Sequence, residues 1–135
     1  MGERDRYRPI ETPLSPTAGP ADVARGLWGI YPFDTFYIAD LDAIQNPDLT
    51  GADLTGIEPL LDRSEIWLDA GFSQLRQFEA ILAVKGIRPV LGSESQRDAS
   101  LLRHLRSDPR LVLSLDFRGD EFIGPSSILE NDADW

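Results

Sequence analysis

At 135 residues the chain is long enough for one domain with its own core and too short for two comfortable ones. Its 13 Lys and Arg against 23 Asp and Glu leave a net charge of -10, which argues against nucleic-acid binding by phosphate neutralisation and against an anionic membrane surface. The absence of cysteine excludes disulfides, zinc ribbons and thiol catalysis. No apolar stretch approaches the roughly 20 residues of a membrane helix, and the charged start, Met1 to Arg8, has no apolar core behind it. The expectation is a cytoplasmic protein without a signal peptide.

Residues 1–19 read as a Pro-rich arm or loop, with Pro9, Pro13 and Pro16 removing backbone donors and fixing φ. Residues 20–135 read as the folded domain. Pro20 to Trp28 forms a short helix with Pro20 at its start and Val23, Leu27 and Trp28 along one face. Thr35 to Ala39 is a strand whose run Phe36-Tyr-Ile suits burial on both sides. A polar loop over 45–56 and a short helix over Gly56 to Leu61 lead to a second strand, Glu65 to Leu68. Ser73 is a fitting cap for a helix carrying Leu75, Phe78 and Leu82 on one stripe, which Lys85-Gly86 ends. Ile87 to Leu91 is a third strand, Ser95 to Leu105 a further helix, and Leu111 to Leu115 a fourth strand. Arg118-Gly-Asp-Glu then makes a hairpin-like turn, and Asn131 to Trp135 resemble the start of another element.

The four apolar runs stop at Asp40, Asp69, Gly92 and Asp116, at intervals of 29, 23 and 24 residues, the length of one strand, one helix and two loops. Parallel strands would bring all four stops to one edge, where α/β folds place their ligand sites. Asp116, at the mouth of an apolar strand, is suited to proton transfer, or else to capping a loop. If the chain stays extended, Asp40 and Asp42 alternate onto one side, where they would share a proton, hold sugar hydroxyls or bind a metal; the rival role is a helix cap. The only histidine, His104, falls mid-helix and reads as structural, so no metal site is expected. Gly92-Ser93, and Gly71 within Asp69-Ala-Gly-Phe-Ser, put small residues where strand meets helix, as phosphate turns require.

Phe36-Tyr-Ile-Ala-Asp-Leu-Asp-Ala-Ile, Trp67-Leu-Asp-Ala-Gly-Phe, Val90-Leu-Gly-Ser and Leu113-Ser-Leu-Asp-Phe-Arg-Gly together resemble the ProFAR isomerase family of histidine biosynthesis, over roughly residues 7–124. The likeness is nearest to the branch known as ProFAR-isomerase-related, found in organisms with one-carbon metabolism. The resemblance implies a (βα)8 barrel that performs an Amadori rearrangement of a phosphoribosyl aminoimidazole between two aspartates, without a cofactor. The strands here match the family's second to fifth, so the expected fold is α/β, a half-barrel of about four parallel βα units. By the same match Asp116 is the fifth-strand acid–base residue. Gly71, Gly92 and Ser93 become phosphate contacts, Asp40 and Asp42 substrate contacts, and Arg8 a substrate contact from a mobile loop.

The family's other catalytic aspartate belongs to its first strand, in a segment expected ahead of Met1, and its sixth to eighth strands carry the remaining site. The isomerase turn Gly-Gly-Gly-Ile-Arg is Asp69-Ala-Gly-Phe-Ser here, which keeps Gly71 but replaces the arginine by Ser73. Four strands do not close an eight-stranded barrel. The expectation is therefore a homo-oligomer or a complementing half-barrel, acting on a phosphorylated small molecule. An inactive fragment or interaction module, and a related barrel enzyme of one-carbon-carrier biosynthesis, are the alternatives.

Overall fold

The computed structural model describes residues 8–46 and 52–130. The expected start of a further element at Asn131, the first residues of the arm and part of the polar loop lie outside the described residues. Helix α1 spans Pro20–Trp28, beginning with Pro20 in the first turn, where a missing donor costs nothing, and burying Val23 and Ala24. The arm packs on it: a Cβ on Gly26 would lie 2.1 Å from the Leu14 carbonyl oxygen, so only glycine admits this approach.

Strand β1 (Thr35–Ala39) runs into α2 (Leu41–Gln45), and after a 3-10 turn at Glu58–Leu60 the chain forms β2 (Glu65–Asp69) and α3 (Leu75–Leu82). β3 (Ile87–Gly92), a 3-10 turn at Ser93–Ser95, α4 (Ser100–Leu105) and β4 (Val112–Ser114) follow. The four strands form one sheet in the order β1-β2-β3-β4, each neighbouring pair parallel. A hairpin of β5 (Asp116–Arg118) and β6 (Glu121–Ile123) closes the described chain, with Gly119 at φ +59 in its turn, before a last 3-10 turn buries Ile128.

Register fixes which residues share a face. Tyr37 pairs with Trp67 and Ile38 with Leu68, while Ile66 pairs with Ile87 and Leu91 with Leu113. The face of Phe36, Ile38, Ile66, Leu68, Ile87 and Leu91 packs with Ala24 of α1, Phe78 and Ile81 of α3, and Leu102 and Leu105 of α4 in a single core. Phe72 and Phe78 meet there at 5.1 Å between ring centroids, a tilted contact that adds to plain area burial. On the opposite face Trp67 is half-buried, Arg88 lies 5.4 Å from its ring centre, and Tyr37 is 56% exposed. Arg88 also donates to the carbonyls of Pro109 and Arg110, tying the start of β3 to the turn before β4.

Several expectations change. Among the described residues β1 is not covered on both sides: Tyr37 is 56% exposed and the strand is an edge of the sheet. Helix α3 has Gln74 rather than Ser73 at its N-cap, and the Gln77 side chain accepts from the Ser73 and Gln74 amides. α4 starts at Ser100, not Ser95, since 93–95 is taken by the 3-10 turn. β4 ends at Ser114, and Asp116 opens the hairpin instead of closing that strand. The chain coils into α2 directly after Asp40, so Asp42 is not carried along an extended segment beside it.

Candidate functional site at the carboxyl edge of the sheet

The parallel strands bring Asp40, Asp69, Gly92 and Ser114 to one edge, with Asp116 two residues beyond β4. At this edge three aspartates accept a hydrogen bond from the amide of a strand-to-helix turn. Asp40 Oδ1 accepts from Ala43 N at 3.0 Å, which makes Asp40 the N-cap of α2. Asp69 Oδ1 accepts from Gly71 N at 3.0 Å, and Asp116 Oδ2 accepts from Glu94 N at 3.0 Å. The turn amides that a bound anion would seek thus already face carboxylate oxygens of the protein.

Asp116 is held by several hydrogen bonds at once. Ser93, fully buried, offers its Oγ to three partners: it accepts from Asp116 N at 2.8 Å, donates toward Ile123 O at 2.7 Å, and lies 3.1 Å from Asp116 Oδ2. One hydroxyl hydrogen serves one acceptor at a time, so Ile123 O and Asp116 Oδ2 share it. The hairpin is pressed onto this serine at Gly124, where a Cβ would sit 2.9 Å from the Ser93 carbonyl oxygen. Ser114 Oγ is 3.5 Å from Asp116 Oδ1, at the limit of a hydrogen bond.

Gly71 and Gly92 are glycine for different reasons. Gly71 has φ +64, and a Cβ there would also come within 3.1 Å of Ile44 Cα, so the turn after β2 needs glycine for conformation and for contact with α2. Gly92 has an ordinary extended backbone, and a Cβ there would meet Asp116 Oδ2 at 3.5 Å and Asp69 Oδ2 at 3.6 Å. Its bare backbone therefore lies beside an oxygen of each carboxylate. Asp69 Oδ2 in turn accepts from the Tyr37 hydroxyl at 2.9 Å.

The remaining expected site residues fall elsewhere. Asp42 lies in the first turn of α2, where it complements the helix dipole and its carbonyl accepts from Asn46 N. Arg8 lines an open cleft within its own arm together with Ile10, Thr12, Ser15 and Thr17, and none of the strand-end residues borders that cleft. His104 is exposed on α4 and lines a second open cleft, of about 480 Å³, with Ser73, Gln74, Arg97 and Ser100. Beside it Gln96 clamps two strand-to-helix turns, donating to Phe72 O at 2.8 Å and Gly92 O at 3.2 Å. Among the described residues no three His, Asp or Glu side chains converge to hold a metal ion. No helix among them is long and apolar enough to cross a membrane.

Sequence reasoning placed Asp69 at a strand end but gave it no chemical partner. Alternation shows that Tyr37 and Ala39 share a face, as do Trp67 and Asp69. What joins Tyr37 to Asp69 is the β1–β2 register, and that is set by tertiary pairing.

No protein-family model matches this chain, and no solved structure matches it. It is similar to an uncharacterized protein of the archaeon Methanocaldococcus jannaschii, with 28% identity over 127 residues. That alignment covers 93% of this chain and 52% of the archaeal protein, so the chain spans about half the length of this relative. The fold and site together define an α/β protein with a four-stranded parallel sheet and a carboxylate-rich carboxyl edge.

Proposed function

We propose that the chain is half of a (βα)8 barrel of the ProFAR isomerase type and that it acts on a sugar phosphate, with Asp116 as an acid–base group. The observation that carries this reading is the position of Asp116: at the carboxyl edge of a parallel sheet, half-buried, and fixed by Ser93 and the Glu94 amide. An Amadori rearrangement needs proton transfers and no external oxidant, since the carbon that loses hydrogen and the carbon that gains it belong to one molecule. A fixed carboxylate is suited to such transfers. Turnover of ProFAR by the wild type, lost in Asp116→Asn, is the expected result; equal turnover in both proteins would refute the assignment.

Phosphate seating at Gly71, Gly92 and Ser93 belongs to the same proposal, and it requires exchange with the carboxylates that occupy the Gly71 and Glu94 amides. Amide shifts of Gly92 and Ser93 on titration with ribose 5-phosphate report that exchange, and unmoved signals at millimolar ligand would rule it out. Barrel closure, in this reading, comes from a second copy or a complementing half. The support is that, among the described residues, β1 and β4 each have a single neighbour in the sheet and Tyr37 is more than half exposed. Light scattering should then give a dimer or a complex, and a clean monomer with cooperative unfolding would refute it. The reading carries a cytoplasmic location and no cofactor with it.

A second reading, a half-barrel interaction module without turnover, is favoured by one observation: the turn donors are already satisfied internally. Absence of turnover in the assembled wild type would select it. A third reading, a barrel enzyme of one-carbon-carrier biosynthesis, is favoured by the departure of Asp69-Ala-Gly-Phe from the isomerase turn.

A further inference from the structure

Gly92 ends β3 between the strand that delivers Asp69 and the one that leads to Asp116, and a carboxylate oxygen of each lies beside its bare backbone. One oxygen of each lies 3.5 and 3.6 Å from the position that Cβ would take, so the oxygens are no more than about 7 Å apart, the two distances added. A short carbon chain lying over Gly92 would therefore have both carboxylates within reach. The Asp69 oxygen that faces Gly92 is the one that accepts from the Tyr37 hydroxyl at 2.9 Å, while its other oxygen accepts from Gly71 N. Both oxygens of Asp69 are thus held in place, one from β1 and the other from the turn after β2. Where the isomerase family has Gly-Gly-Gly, this chain has Asp69-Ala-Gly, so the carboxylate is a property of this sequence rather than one carried over by resemblance.

We propose that Asp69 is the second acid–base carboxylate of the site, opposite Asp116, and that Tyr37 positions it. The inference rests on the isomerase reading above. Asp116 gives a proton to the ring oxygen of the substrate as the C1–O bond breaks, and the lone pair of the C1 nitrogen forms the C1=N bond. Asp69 takes the proton from C2; the C–H electron pair becomes the C1=C2 bond, and the C1=N pair returns to nitrogen. The C2 hydroxyl then gives its proton to Asp116 as the C1=C2 pair takes the proton held by Asp69 onto C1 and the O–H pair forms C2=O, which leaves a C2 ketone and a C1 amine. Atoms and electrons balance within the one substrate, and each carboxyl ends the cycle as it began.

The test compares three variants with wild type in ProFAR turnover. Asp69→Asn is expected to lower kcat by 100-fold or more with KM within threefold, the size of a lost general base. Tyr37→Phe, which keeps the exposed ring, is expected to lower kcat about tenfold by loosening the carboxylate. Asp69→Ala is expected to regain activity with added formate, which restores a base but no fold, so rescue separates catalysis from stability. Activity lost in Asp116→Asn yet kept within threefold in Asp69→Asn overturns this inference and leaves the isomerase reading standing. Activity lost in Asp69→Ala without formate rescue, together with unchanged kcat in Tyr37→Phe, also overturns it. An assembled wild type without turnover overturns both.

Discussion

Ser93→Ala tests whether the serine belongs to the scaffold or to the ligand. The substitution removes one atom, so little cavity forms, but it strips Asp116 N of an acceptor at 2.8 Å and Ile123 O of a donor at 2.7 Å. A buried group left unpaired costs about 1–3 kcal/mol. Ser93 is fully buried, whereas Asp116 and Ile123 are half-exposed and recover part of that cost from water. The expected loss is about 2 kcal/mol in the absence of any ligand, with the hairpin held less firmly against β3. With a urea slope of about 2 kcal/mol per molar, the unfolding midpoint should fall by about 1 M at unchanged slope. A midpoint within about 0.2 M of wild type would refute the reasoning, since the hydroxyl would then carry no structural weight and would be released for a phosphate.

Gly71→Ala combines φ +64 with a 3.1 Å approach to Ile44 Cα, and a loss of about 1–2 kcal/mol or more is expected in urea unfolding, whereas Gly92→Ala, in an extended backbone with contacts of 3.5 Å, should stay within about 0.5 kcal/mol. Gln77→Ala removes the acceptor of the Ser73 and Gln74 amides and should cost about 1 kcal/mol, visible as faster amide exchange in the first turn of α3. Asp108 is held below the ordinary carboxyl value of 3.8 chiefly by its side-chain hydrogen bond with Arg110. With the folded-state value lowered, its stabilisation is full above the ordinary 3.8 and is lost as pH falls from there through the folded-state value, so the gap in urea midpoint between wild type and Asp108→Asn should narrow from pH 6 to pH 3. A constant gap would contradict this.

How far the sequence carries depends on the range of the interaction involved. α1 and β1 are legible to the residue, because Pro20 marks a start and the Phe36-Tyr-Ile run is bounded by polar neighbours. The turn at Gly119 is equally local, and the hairpin forms there. That Asp40 caps α2 was one of two readings open from sequence, and the choice between them depended on whether the chain coils after it. The links of Asp116 to Ser93 and of Tyr37 to Asp69 span 23 and 32 residues, and no periodicity encodes them. The same holds for the exposure of Tyr37 on β1: an apolar run reports that a strand is fit for burial, not how far each side chain is buried. The strand-end positions of the site were therefore readable, while the wiring among them was not.

The bare backbone of Gly26 against the Leu14 carbonyl has a consequence for how the chain would be cut. A protease that acts on exposed, yielding segments should pass over the stretch around residue 14, because opening it means lifting it off α1. A shortened protein beginning at Pro20 would leave a slot along the helix where that carbonyl had rested. Gly26→Ala would have a similar effect from the other side, prising the arm away with one methyl group and turning a protected stretch into the first site of digestion.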